Sequence, residues 1–435
     1  MNESLDTKLM HPRDQIAIII SRIYQRGLTT TSGGNISMID ENGDVWVTPS
    51  AVDKGSLRPS DIMCVKSDGT IIGPHKPSSE YPFHIAIYKS RPDIKAVIHA
   101  HPPALVSFSI VRQIPNTNVI VQAKKICGPI GYAGYELPGS YALGVKIADE
   151  FKKGFDALIM ENHGTVLGGI DLVDAFQRFE TLEFCARTIL YGTSLGEVQY
   201  LTDDQIAEFD NQVPKLMPEM DSVSYPSDER EKRLEICNIV HRACDHGLML
   251  SSYGTVSTRW RGNDFLITPT NKPRWDLHLN DIVQIKDGKR EPGKIPSRST
   301  WLHQEIYKRN QGINSIILTQ SPYLMAFGVS NSTIDVRTIP ESWIFLQDVA
   351  TLPFGAHFRE TTQIPELLTL QNPAIILSND SVIITGDMLL QTFDRLEVAE
   401  FSAKSIVLSA HFGKMVPIND DQVEELRKAF LKCTD

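Results

Sequence analysis

The chain repeats itself at a separation of about 220 residues, and this repeat limits its fold more than any other sequence feature. In each half, a helical pattern that ends in glycine leads into a serine-containing turn, SGGNIS at residues 32–37 and SSYGTVS at 251–257. Later segments align in the same order, and the aligned pairs are 47–69 with 267–288, 84–103 with 303–322, and 156–186 with 373–403. A shared order and spacing indicates a duplicated domain, so both halves should adopt one fold.

The boundary between the two copies is expected where acidic residues and prolines interrupt the apolar pattern, from about residue 201 to residue 229. A chain of 435 residues is long enough for two domains. We therefore predict a first domain at residues 1–205, a linker at 206–228 and a second domain at 229–435.

Short β-branched runs alternate with helical patterns in each half, which is typical of an α/β protein. The patterns predict helices at residues 14–26, 79–90, 141–153 and 172–190. They predict strands at residues 45–48, 62–66, 96–101, 119–122, 157–160 and 165–167. Strands this numerous and closely spaced cannot all be joined by the long crossovers of parallel pairing, so several must pair antiparallel.

Composition excludes some classes of function. A formal net charge of -10 disfavours binding to nucleic acid, because a phosphate backbone attracts a positive surface. No segment approaches the 18 or more apolar residues of a membrane span, so we expect no membrane association. The six cysteines are irregularly spaced, and the first residues lack the apolar core of a secretory signal. These features predict a reduced, cytoplasmic protein.

A pair of histidines is the sharpest chemical feature. His99 and His101 stand at the end of an apolar run that reads as a buried strand, and strand residues two apart point to the same face. His163 lies in a polar turn after the strand predicted at 157–160 and precedes a glycine. Three neutral imidazoles with one open coordination position are typical of a catalytic zinc site. The alternative is that His99 and His101 form a chance His-x-His pair with a structural role only.

Glu80 precedes the histidines in the sequence and lies at the start of the helix predicted from residue 79. One reading is a capping acid, since carboxylates are favoured in the first turn of a helix and Ser78 or Ser79 can serve as the cap. The other reading is a general acid and base, since a carboxylate near a metal-polarised carbonyl can remove and return a proton.

Two tight turns offer an anion site. Asn35 closes a Gly-Gly turn, and Ser50 closes a Thr-Pro-Ser turn at a strand end. With Ser78 and Ser79 they provide hydroxyls, an amide and backbone N–H groups, which can hold a phosphate or carboxylate without net positive charge. Each turn taken alone is also explained by ordinary turn chemistry.

The first half resembles the class II aldolase/adducin N-terminal family over residues 12–200. The resemblance rests on five motifs in the family's order and near its spacing: SGGNIS (32–37), VTPS (47–50), KPSSE (76–80), RPDIKAVIHAHPP (91–103) and ENHG (161–164). It implies three zinc ligands (His99, His101 and His163), a catalytic Glu80, and contacts to a phosphate or similar group from Asn35, Ser50, Ser78 and Ser79.

The resemblance also implies a three-layer α/β/α fold with a central, mostly antiparallel sheet, assembly into homo-oligomers, and active sites at subunit clefts. Two features depart from the family pattern. Ala51 stands where a glycine usually follows the Thr-Pro-Ser turn, and the tyrosine that some aldolases carry between the second and third histidines has no clear match, with Tyr132 and Tyr135 as possible substitutes. Glu80 disfavours an epimerase, whose members usually carry aspartate there.

The second half lacks the three histidines and the glutamate that form the candidate site of the first half. The internal alignment places Leu318, Gln320 and Asp380 opposite the three histidines and Ser299 opposite Glu80. Leucine cannot bind zinc, so this copy should be metal-free and catalytically silent. We expect it to pack against the first domain. The alternative is a regulatory ligand pocket in the second half, with Arg298 as its cation.

Two functions remain after these arguments. The first is a zinc-dependent lyase of aldolase or decarboxylase type, with one zinc per chain, which stabilises an enolate of a small hydroxylated carbonyl substrate such as a sugar phosphate or sugar acid. The alternative is a non-catalytic, adducin-like interaction or scaffold protein. Adducin-like members lose the histidines that this first half retains, which favours the enzyme.

Overall fold

The computed structural model describes residues 6–212, 216–359 and 362–431. Within these residues the chain forms two compact units. Of the described residues, the first unit takes 6–117 and 122–187, and the second takes 118–121 and those from 188 to 431. The domain boundaries at residues 205 and 229 stay a prediction, and the expected linker at 206–228 begins inside a helix, α7 (Asp203–Asn211).

The first unit is built on an eight-stranded sheet with the order β4-β3-β2-β1-β5-β8-β7-β6. Its strands are β1 (Asn35–Ile39), β2 (Val45–Val47), β3 (Met63–Val65), β4 (Ile71–Ile72), β5 (Ala96–Ala100), β6 (Ile130–Ala133), β7 (Ala157–Met160) and β8 (Gly164–Gly169). All neighbours pair antiparallel except β6 and β7, which are parallel. The expected mixed but mostly antiparallel sheet is therefore confirmed.

Helices alternate with these strands along the chain: α1 (Pro12–Gln25), α2 (Tyr81–Ser90), α3 (Pro103–Ile110), α4 (Val121–Cys127), α5 (Tyr141–Lys152) and α6 (Leu172–Thr193). All five residues of β5 are buried, so both faces of the central strand are covered. On one face, Val97 packs with Phe83 and Ile87 of α2 and with Ile147 of α5. Alternation along β5 places His99 on this same α2 face.

The second unit repeats the topology, with the order β12-β11-β10-β9-β13-β16-β15-β14. Its strands are β9 (Thr255–Arg261), β10 (Asp264–Ile267), β11 (Val283–Lys286), β12 (Lys289–Arg290), β13 (Ser315–Thr319), β14 (Val349–Leu352), β15 (Ala374–Leu377) and β16 (Ser381–Gly386). The remaining helices are α8 (Ser227–Asp245), α9 (Thr300–Arg309), α10 (Pro322–Ser330), α11 (Pro340–Leu346), α12 (Ile364–Leu367), α13 (Leu389–Ser409) and α14 (Asp420–Phe430). The predicted duplication of one α/β fold is confirmed.

One strand prediction is wrong. Residues 119–122 carry a β-branched run, but the structure has a 3-10 helix at Thr117–Val119 and then α4. Val121 is buried in an apolar cluster with Leu201, Phe209 and Phe354. Tertiary packing of this short run thus overrides its strand propensity.

Among the described residues, the helices are either too short or too polar to cross a membrane.

Candidate metal centre

Three histidines of the first unit converge at one end of the central strands. His99 lies in β5, His101 follows the strand, and His163 lies in the turn that joins β7 to β8. Because β5 and β8 are antiparallel neighbours, with Ala100 opposite Thr165, the turn comes next to the end of β5. One nitrogen from each imidazole lies within 4.8 Å of the others.

The hydrogen bonds of these rings fit a bound metal ion. His99 Nδ1 lies 2.9 Å from the backbone oxygen of Thr165, so Nδ1 carries the proton and Nε2 is left to face the site. The Nε2 atoms of His99 and His101 are buried and have no hydrogen-bonding partner among the described residues. Buried nitrogens are rarely left unpaired, and a metal would satisfy both of them.

Glycines allow the backbone to approach this cluster. Gly34 has φ +70°, and a Cβ at this position would lie 2.8 Å from the backbone oxygen of His99. A Cβ at Gly164 would lie 2.6 Å from the backbone oxygen of Ala100 and 2.7 Å from His101 Cδ2. The glycines of the SGGN and NHG motifs are therefore required by close packing around the histidines.

Glu80 points into the cluster. Helix α2 begins at Tyr81, and Glu80 occupies its N-cap position. The Glu80 side chain accepts no capping hydrogen bond from the first turn, so Glu80 does not act as a capping acid. Instead, Oε2 lies 3.2 Å from His99 Nε2, and Oε1 lies 3.4 Å from His163 Nε2. The carboxylate thus faces the same space as the imidazole nitrogens.

Electrostatics favour an ionised Glu80 carboxylate, and they favour the neutral form of the His101 and His163 imidazoles. Burial alone would raise the pKa of Glu80, but His99, His163 and a hydrogen bond from Asn35 together lower it well below its usual range. Burial, with the neighbouring His99, lowers the pKa of His101 to about 3 and that of His163 to about 4. Neutral imidazoles are the form that binds metals.

The predicted anion-binding residues are only partly brought together. Asn35 Nδ2 donates to Glu80 Oε2 at 2.8 Å, and the backbone N–H of Glu80 donates to Ser78 Oγ at 3.3 Å. Ser50 lies on the adjacent turn, where its backbone N–H donates to the Lys76 oxygen at 2.9 Å. Ser79 is exposed, and within the described residues it makes no side-chain hydrogen bond to the rest of this set.

The sequence reasoning missed the role of two buried residues behind the site. Ser37 Oγ contacts His84 Nδ1, and His84 Nε2 contacts Asn35. Ser257 and His303 occupy the matching positions in the second half. Identity of both residues across a diverged repeat was the signal that could have revealed them.

Sequence comparison decides the family. The model of the class II aldolase and adducin N-terminal domain matches the chain twice, at residues 14–190 and 234–407, which together exceed half of the chain. The chain belongs to the class II aldolase and adducin N-terminal family.

The similar members of this family are lyases. A 3-oxo-tetronate 4-phosphate decarboxylase of Haemophilus influenzae is 32% identical, over 43% of this chain and 90% of the decarboxylase. A 5-deoxy-D-ribulose 1-phosphate aldolase of Bacillus thuringiensis is 32% identical, over 46% of this chain and 93% of the aldolase. An L-fuculose phosphate aldolase of Methanocaldococcus jannaschii is 35% identical, over 41% of this chain and 95% of the aldolase.

The second copy of the family domain carries different contacts at the matching positions. Gln320 Nε2 donates to the backbone oxygen of Asp380 at 2.7 Å, and the Asp380 carboxylate lies 3.0 Å from His357 Nε2. Ser299 Oγ donates to Thr255 Oγ1 at 3.1 Å. The three polar replacements, Gln320, Asp380 and Ser299, thus contact polar groups of the same unit, and Leu318 packs against its apolar core.

Proposed function

We propose that the chain is a metal-dependent carbon–carbon lyase of aldolase or decarboxylase type. The observation that carries this proposal is the convergence of three imidazoles, two with unpaired buried nitrogens, beside an ionised carboxylate. The proposed substrate is a small hydroxylated carbonyl compound, such as a sugar phosphate or sugar acid. The names of the aldolases and the decarboxylase that resemble the chain support this substrate class.

His99, His101 and His163 are the proposed ligands of one zinc ion per chain. An all-imidazole set suits zinc, and three protein ligands leave a position open for the substrate. When bound, the metal would supply a Lewis acid that polarises the substrate carbonyl. The hydrogen bond that His99 Nδ1–H donates to the Thr165 backbone oxygen would hold that ring in its binding orientation.

Glu80 is the proposed acid and base. Its carboxylate is ionised and lies within 3.4 Å of two ligand nitrogens, so it borders the open position. In this place it can take a proton from a substrate hydroxyl or carbon and return it to the product. Its burial excludes most water, which strengthens its interaction with a charged reaction centre.

Asn35, Ser50, Ser78 and Ser79 are the proposed contacts to the substrate, including a phosphate where one is present. Ser78 and Asn35 adjoin Glu80 directly, and Ser50 belongs to the neighbouring turn. Hydroxyls and backbone N–H groups of such turns bind anions without a net positive charge. The second unit is proposed to be catalytically silent.

The metal content of the purified chain tests this proposal. We expect close to one zinc per chain, and loss of most of it in His99→Ala, His101→Ala and His163→Ala. His246→Ala, at an exposed ring of the second unit, is the matched control and should retain the metal. Glu80→Gln should keep zinc but lose activity in a screen of phosphorylated and unphosphorylated sugar acids and ketoses. A chain without tightly bound metal, or a fully active Glu80→Gln, would refute the proposal.

A further inference from the structure

A line of hydrogen bonds runs from the buried side of α2 to the carboxylate of Glu80. Tyr88 Oη lies 2.6 Å from Ser37 Oγ, which lies 2.7 Å from His84 Nδ1. His84 Nε2 lies 2.5 Å from Asn35 Oδ1, and Asn35 Nδ2 lies 2.8 Å from Glu80 Oε2. All five residues are buried, so water does not compete for these contacts.

The direction of each hydrogen bond follows from the carboxylate. An ionised carboxylate only accepts, so Asn35 must turn its NH2 group to Glu80 and its oxygen to His84. The imidazole must then carry its proton on Nε2, which leaves Nδ1 as an acceptor for the Ser37 hydroxyl. Ser37 Oγ in turn accepts from the Tyr88 hydroxyl. Each donor meets one acceptor, and reversing any link would leave two acceptors facing each other.

The burial of His84 keeps it in this single tautomer. The residue is fully buried, and burial lowers the pKa of its imidazole to about 3. A neutral ring has one N–H and one acceptor nitrogen, as the line of hydrogen bonds requires. His84 also stacks on Phe83, with ring centroids 4.6 Å apart, which limits rotation of the ring.

The second unit keeps one part of this line of hydrogen bonds and lacks the other. Ser257 Oγ lies 2.7 Å from both His303 Nδ1 and Tyr307 Oη, so the Ser-His-Tyr part is kept. Thr255 replaces Asn35, since it pairs with Leu318 as Asn35 pairs with His99. Ser299 replaces Glu80 at the N-cap of the matching helix. His303 Nε2 is buried there without a hydrogen-bonding partner among the described residues. The Ser-His-Tyr part therefore supports packing, whereas the link through His Nε2 occurs beside the catalytic carboxylate.

We propose that His84 is a positioning residue that fixes the Asn35 amide and, through it, the orientation of the Glu80 carboxylate. This inference rests on the proposed function of Glu80 as the acid and base. Without the Nε2–H donor, the Asn35 amide is free to rotate and to present its oxygen to the carboxylate. Glu80 would then lose a charge-assisted hydrogen bond and its defined place beside the imidazoles.

Two substitutions at one position test the link. In His84→Asn, the shorter carboxamide reaches the site of Nδ1 and can bond Ser37, but it does not reach Asn35. In His84→Gln, the longer carboxamide reaches the site of Nε2 and can donate to Asn35. We expect His84→Asn to lower kcat about 10- to 100-fold with little change in KM and with full zinc content. His84→Gln should recover most of this loss.

His303→Asn is the matched control, because it makes the same change behind the silent site. It should leave kcat unchanged while it lowers thermal stability as much as His84→Asn does. Crystal structures of the two His84 variants give a readout that does not depend on activity. The contact from Asn35 Nδ2 to Glu80 Oε2 should be lost in His84→Asn and kept in His84→Gln.

Particular results would overturn the inference. One is an unchanged Glu80 carboxylate in the His84→Asn crystal, and another is an equal loss of kcat in the Asn and Gln variants. A wild-type chain with no metal and no lyase activity would instead overturn the proposed function. The crystallographic comparison would then decide by itself whether His84 orients Asn35 and Glu80.

Discussion

Replacing Glu400 by glutamine should change how the stability of the chain depends on pH. Glu400 lies in α13 and is 8% exposed. Its carboxylate accepts hydrogen bonds from the backbone N–H groups of Tyr323 and Leu324, at 3.0 and 2.9 Å, where α10 begins. Burial nevertheless raises the pKa of Glu400 to about 7, although these donors and Lys404 act in the opposite direction.

The raised pKa sets both the sign and the size of the effect. Below pH 4.5, the ordinary pKa of this carboxyl, it is protonated in the folded and the unfolded chain. Between pH 4.5 and about 7 the unfolded chain releases the proton while the folded chain holds it, so the free energy of unfolding falls as the pH rises. Above pH 7 this loss is complete at about 3 kcal/mol, since each pH unit contributes about 1.4 kcal/mol.

Denaturant unfolding of the wild type and Glu400→Gln between pH 5 and 8 measures the effect. Glutamine has nearly the same shape and does not titrate, so the wild type should lose about 2 to 3 kcal/mol relative to the variant across this range. Glu424→Gln, at an exposed residue of α14, should show no such trend. A difference that stays constant with pH, or a wild type that gains relative to the variant, would refute the reasoning.

Three further substitutions probe the first unit and its repeat. Gly34→Ala should lower the free energy of unfolding by about 2 kcal/mol more than Gly27→Ala in denaturant titrations, because both glycines have positive φ but only Gly34 lies against a backbone oxygen. Asn35→Leu should lower kcat about 10- to 100-fold at unchanged zinc content, measured by steady-state kinetics and elemental analysis. Arg274→Met should lower the free energy of unfolding by about 3 kcal/mol or more, measured by thermal or denaturant unfolding, because the buried guanidinium donates to three backbone oxygens. Arg427→Met, at an exposed residue, should change it by no more than about 0.5 kcal/mol.

Most of the fold could be predicted from the sequence, because apolar periodicity survives in both copies of the repeat. The predicted strands at 96–101 and 157–160 correspond to β5 and β7, and the helix predicted at 79–90 corresponds to α2. The strand predicted at 119–122 failed because those residues are buried by contacts distant in sequence. Local propensity carries no information about such contacts.

The sequence also allowed the residues of the candidate site to be predicted, but not the orientation of every side chain in it. Alternation along β5 placed His99 and His101 on one face, and the turn after β7 supplied His163. The helix pattern alone left two alternatives for Glu80, capping α2 or facing the imidazoles, and only the family resemblance favoured the second. That outcome depends on the hydrogen bond from Asn35, which needs the pairing of β1 with β5.

The repeat also predicts that metal removal leaves the first unit folded. The second unit has leucine, glutamine and aspartate in place of the three histidines, and it still forms the same eight-stranded order. The residues that both units keep are packing groups, such as the buried Glu183 and Glu400, which accept hydrogen bonds from the first turns of α3 and α10. If the fold depends on these groups and not on the metal, a chelator should remove zinc with little change in far-ultraviolet circular dichroism. Activity should return when zinc is restored. Loss of helical signal on chelation would instead assign the metal a structural role, as in domains whose folding free energy comes from metal binding.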